Sequence, residues 1–121
     1  MLSWLRRLRK RRRPPLAGAP AVRRVKTYSA ASGYVYQYFY EGRRAEEYLF
    51  QVSADRRTYF SAAVALPDAS PLELNPTERY AIAKMSLFRA FDERADPAAM
   101  REPIRVQPAD VVAIAEQLGL V

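Results

Sequence analysis

The sequence predicts an α+β domain: a three- or four-stranded antiparallel sheet, in the order β-β-β-α-β-α, with two helices packed on one face. Three observations lead there. Residues favoured on pleated surfaces alternate between Lys26 and Leu66, a capped amphipathic helix begins at Asn75, and a second helical pattern follows Gln107. Strands gathered first and helices later are the pattern of an antiparallel sheet covered on one side. The 121 residues, 50% hydrophobic and 27% charged, suit one small soluble domain. The expected division is a basic arm and linker over residues 1–25 and the α+β domain over 26–121.

The longest strand follows Gly33 and runs through Tyr34, Val35, Tyr36, Gln37, Tyr38, Phe39 and Tyr40. Its period of two places the four tyrosines on one face. Residues 41–46, with Gly42 free to adopt positive φ, are expected to turn the chain into a second strand, Tyr48 to Val52. Asp55, Arg56 and Arg57 make the next turn, and Thr58 to Leu66 gives a third strand stopped by Pro67. Residues 67–74 connect the sheet to the first helix. Asn75, Pro76 and Glu78 form a helix start, with a side-chain cap, a proline in the first turn and a carboxylate that reaches back to free N–H groups. That helix is expected to reach about Ala95, with Arg79, Ser86, Arg89 and Glu93 toward water, before Asp96 and Pro97 stop it. Ile104 to Val106 suits a short fourth strand. Gln107, Pro108 and Asp110 then open a helix carrying Val111, Val112, Ile114, Ala115 and Leu118, with Gly119 as its C-terminal cap.

The net charge of +7 is a property of one region. Arg6, Arg7, Arg9, Lys10, Arg11, Arg12 and Arg13 fall in an acid-free start, whereas residues 14–121 balance 13 basic against 13 acidic side chains. A neutral body with a basic extension argues for electrostatic tethering rather than a charged groove on the fold. If residues 1–10 were helical, Met1, Leu2, Trp4, Leu5 and Leu8 would span roughly 160° of the wheel, an arc on which Arg9 and Arg12 intrude. Three readings compete for this arm: a solvated extension ahead of the flexible linker PPLAGAP, an interfacial helix with Trp4 in an anionic membrane surface, and a phosphate-neutralising nucleic-acid arm. The arm has no apolar run long enough for a secretory signal and is short and serine-poor for a transit peptide, so a cytoplasmic location is the expectation.

The chain has no cysteine and no histidine. Disulfides, Cys/His zinc sites, histidine-ligated haem, cysteine nucleophiles and serine–histidine relays are thereby excluded. Lys84 lies in the apolar arc of the first helix, where a snorkelling side chain explains it better than a catalytic one. Glu46 with Glu47 and Asp92 with Glu93 are neighbours in sequence and diverge in direction, which makes poor acid/base or metal pairs. The four glycines are scattered and build no phosphate-cradling loop. No enzyme activity, cofactor or metal is expected.

The tyrosines remain. As a structural feature, the row makes cross-strand contacts on a half-buried face. As a functional one, it forms an adhesive sheet surface, with Tyr34, Tyr36, Tyr38, Tyr40, Arg43 and Arg44 contacting a partner. The expectation is therefore a non-catalytic interaction module with a tyrosine-rich sheet surface and a basic tether formed by Trp4, Arg6, Arg7, Arg9, Lys10, Arg11, Arg12 and Arg13. A nucleic-acid-binding accessory protein and a peripheral membrane protein are the alternatives. Glu41, Glu46, Glu47 and Asp55 lie among the turn arginines and weaken the nucleic-acid version. An exposed sheet edge leaves room for a homodimer.

Overall fold

Alternation after Lys26 resolves into four consecutive strands, not three. The computed structural model describes residues 16–121. Its elements are β1 (Lys26–Ser29), β2 (Val35–Arg44), β3 (Glu47–Ser53), β4 (Phe60–Ala65), α1 (Pro76–Glu93), a 3-10 turn (Pro97–Arg101), β5 (Ile104–Arg105) and α2 (Pro108–Gln117). The strands form one curled five-stranded sheet in the order β1-β2-β3-β4-β5. The expected three- or four-stranded β-β-β-α-β-α arrangement is therefore corrected. The added strand, β1, carries a single large apolar residue, Tyr28, so its local pattern is weak. Its pairing with β2, from Lys26 opposite Tyr38 to Ser29 opposite Val35, defines it. The sheet is also not purely antiparallel, because β5 returns from the helices to lie parallel to β4, with Ile104 beside Val64.

Gly42 does not turn the chain. It lies inside β2, where the register shifts between Tyr40 and Gly42 as a bulge, and the turn falls later, with Ala45 at φ 49°. The reason is close approach. A Cβ on Gly42 would lie 2.7 Å from Leu16 Cβ and 3.0 Å from the Ala17 carbonyl oxygen, and φ there is 133°. Ala17 and Arg43 exchange backbone hydrogen bonds of 3.0 and 2.8 Å, so the segment before β1 is held against the same strand.

Helix α1 begins as its residues dictate. Glu78 N–H donates to Asn75 Oδ1 at 2.8 Å and Asn75 N–H donates to Glu78 Oε1 at 3.0 Å. Ser86, expected in water, is buried, and its hydroxyl donates to the Ile82 carbonyl at 2.8 Å. A small hydroxyl that bonds back along its own helix fits on a packed face where a charged residue does not. Beyond α1, the Arg94 guanidinium donates to the carbonyls of Ala99, Glu102 and Pro103, at 2.6, 2.8 and 3.3 Å, which fastens the 3-10 turn. Helix α2 closes with Gly119 N–H on the Glu116 carbonyl and Leu120 N–H on that of Ala115, the pairing that a left-handed glycine cap permits.

One core lies between the sheet and the helices. Tyr36, Phe50, Val52 and Val64 project from the strands against Ile82, Leu87 and Phe91 of α1, with Met100 and Ile114 extending the cluster.

Candidate functional site

The tyrosine row points at the helix. Tyr36 is 0% and Tyr38 5% exposed, Tyr40 is half-buried, and only Tyr34, ahead of β2, is exposed at 40%. Tyr36 stacks on Phe91 with ring centroids 4.2 Å apart, and Tyr38 meets the edge of Phe88 at 5.5 Å. The expected adhesive surface of Tyr34, Tyr36, Tyr38 and Tyr40 is corrected accordingly, because α1 supplies the apolar surface that these rings need. Arg43 and Arg44 stand at the far end of β2, where the Arg43 guanidinium donates to the Ala45 carbonyl at 3.3 Å. Trp4, Arg6, Arg7, Arg9, Lys10, Arg11, Arg12 and Arg13 lie outside the described residues.

An opening exists at one end of the row. On its β1 side, β2 is paired from Val35 to Tyr38 by β1 and again at Arg43 by Ala17, so the intervening stretch around Tyr40 has no strand beside it. The chain leaves the sheet there, and residues 18–25 make a detour before β1. Between this detour and the sheet is a cleft of about 520 Å³. Pro20, Ala21 and Val22 form its outer wall, and Tyr38, Tyr40 and Tyr80 form its aromatic floor. The Tyr40 and Tyr80 rings meet edge to face at 4.8 Å. Burial, reinforced by the neighbouring Tyr48 hydroxyl, pushes the Tyr40 phenol up to about 12. Burial also raises Tyr80 and Tyr38. Val22 is 64% exposed, an apolar side chain held in water at the mouth.

The rim is basic. Arg24 and Lys26 line the cleft, and Lys26 also faces Lys84, whose ammonium lies 5.8 Å from the centre of the Phe88 ring. Burial, together with the Lys26 ammonium, pulls Lys84 below the usual lysine range. Among the described residues none of these three cations forms an ion pair, and the one ion pair found joins Arg79 to Glu46 at 3.1 Å. Asp92 accepts the Tyr28 hydroxyl and the Ala31 N–H, each at 2.8 Å, and so fastens the β1–β2 turn to the end of α1. Asp55 accepts from the Thr58 and Arg57 N–H groups and the Ser53 hydroxyl, which hold its carboxyl down at about 2. Among the described residues no three carboxylates gather closely enough to hold a metal ion.

Sequence reasoning missed Arg24, Lys26, Val22 and Tyr80 as site residues. Two signals were available: apolar residues interleaved with cations over 20–26, and Tyr80, Lys84 and Phe88 recurring every four residues along one face of α1.

Comparison with known proteins gives no relative: the chain matches no protein-family model, no curated protein and no solved structure. What stands is a small α+β domain with a tyrosine-rich aromatic cluster at its strands, and no described helix is long and apolar enough to cross a membrane.

Proposed function

We propose that this chain is a non-catalytic interaction module that seats an apolar side chain of a partner protein in the cleft between residues 20–26 and the Tyr38, Tyr40 and Tyr80 rings. The basic arm, Arg6 to Arg13, acts as an electrostatic tether to the same partner. The observation that carries this reading is the cleft itself: an aromatic floor left open where β2 loses its neighbour, with an exposed valine at the mouth. Open apolar concavities with a few polar groups at the edge are where proteins take ligands and anchor residues.

Titration of the ¹⁵N-labelled full chain with indole-3-acetamide, a neutral planar probe, tests the reading. Saturable amide shifts confined to Val22, Lys26, Tyr40, Tyr80 and their neighbours are expected. Val22→Asp should remove them without altering the thermal melt, because Val22 is solvent-exposed. Shifts that are absent, or that map to the opposite face of the sheet, would overturn it.

A further inference from the structure

The cations at the cleft are unusual for their company. The described residues are neutral overall, yet Arg24, Lys26 and Lys84 gather at one edge with no carboxylate paired to any of them. Two acids at α1 are committed to other partners. Asp92, two turns along α1 from Lys84, is bound by Tyr28 and Ala31, and Glu46 is bound by Arg79. Lys26 and Lys84 are the only lysines of the described chain, and they converge on one corner of the cleft: Lys26 pairs with Tyr38 across β1 and β2, Tyr38 meets the edge of the Phe88 ring, and the Lys84 ammonium lies over that same ring. Two neighbouring ammonium groups repel, and their repulsion strengthens as the site is desolvated. An anion placed between them turns that repulsion into two charge-assisted hydrogen bonds. The same anion would sit beside the apolar floor, because Lys26 lines the cleft with Tyr38 and Tyr40.

We infer that the cleft selects an acidic segment of its partner, holding a carboxylate at Arg24, Lys26 and Lys84 while the adjoining apolar side chain rests on Tyr38, Tyr40 and Tyr80. This rests on the cleft being the partner site, and it adds the partner's chemistry. Charge complementarity is the reason. The basic rim disfavours the chain's own arginine-rich arm as the occupant and favours a segment of opposite sign.

Three probes separate the two claims: indole-3-acetate, its neutral counterpart indole-3-acetamide, and acetate alone, each titrated into the ¹⁵N-labelled full chain at low salt. The expected result is that indole-3-acetate moves the cleft amides with an affinity about tenfold higher than the amide does, and that acetate binds far more weakly than either. Lys26→Met and Lys84→Met keep the aliphatic stems and should reduce indole-3-acetate to the affinity of indole-3-acetamide, which itself stays unchanged. If Lys84→Met fails to fold, Arg24→Gln, at an exposed position, reads the same term. Equal affinity for acid and amide would overturn the inference and leave the cleft reading intact. Acetate binding as tightly as indole-3-acetate would show an unselective anion site and overturn it too. No cleft shift with any probe would overturn both.

Discussion

The two ends of the β2 tyrosine row use one residue type in opposite ways. At the start of the strand, β1 lies alongside and α1 lies above. Tyr28 stacks on Phe88 at 4.4 Å, Tyr36 stacks on Phe91, and Asp92 fastens the turn that joins β1 to β2. The rings there are sealed. At Tyr40 the neighbouring strand has gone, the bulge has shifted the register, and the phenol shares an open cleft with Tyr80. Identical alternation therefore gives a core at one end and a binding floor at the other. What decides is whether a second layer and a second strand both arrive to cover the ring.

The largest break in this contrast comes from truncating the sealed end. Tyr36→Ala should cost about 4 kcal/mol in urea denaturation, as expected for removing a fully buried aromatic. Tyr40→Ala should cost about half as much, since that ring is only half-buried. Equal losses would mean that the two ends do not differ. Gly42→Ala tests what shapes the open end. With φ 133° and Leu16 in the way, it should lose about 2 kcal/mol and free residues 16–25, which limited proteolysis would report as faster cleavage between Gly18 and Val25.

A smaller, signed pair concerns the hydroxyls. The Tyr36 hydroxyl is buried with no hydrogen-bond partner among the described residues, so Tyr36→Phe should stabilise the domain by about 1 kcal/mol. The Tyr28 hydroxyl donates to Asp92, so Tyr28→Phe should destabilise it by about 1 kcal/mol. The mildest test is alkaline titration. Burial raises Tyr36, Tyr38, Tyr48 and Tyr80, and raises Tyr40 to about 12. The folded state therefore holds these protons more tightly than the unfolded chain. The resulting stability is intact below pH 10 and is lost as pH rises toward 12. The share of the tyrosinate absorbance that these five buried tyrosines contribute should accordingly rise together with loss of the near-ultraviolet circular dichroism, not ahead of it.

Much of the local structure was legible in the chain. The Asn75–Glu78 box and the Gly119 cap follow from interactions within a few residues, which the sequence displays directly, whereas the tyrosine strand runs on to Arg44, past the turn expected at residues 41–46. Other features depend on partners outside their own segment. Lys26–Ser29 becomes a strand only because β2 lies beside it, Gly42 reads as a turn until Leu16 and Ala17 crowd it, and Ser86 looks solvent-facing until the helix is packed. The site was the least legible part. Its wall comes from residues 20–22, its floor from Tyr38, Tyr40 and Tyr80, and its charge from Arg24, Lys26 and Lys84.

By itself the sequence determined the chemistry available, the amphipathic helices and their caps, and the fact that the four tyrosines alternate. Those follow from composition and from backbone periodicity, which are local. Tertiary structure alone decided which way the row faces, that a fifth strand exists and that the chain detours away from β2 at Tyr40. Each is settled by how separate segments meet in the folded chain, through backbone pairing for the added strand and apolar cover for the row, and the place where that cover runs out is the cleft.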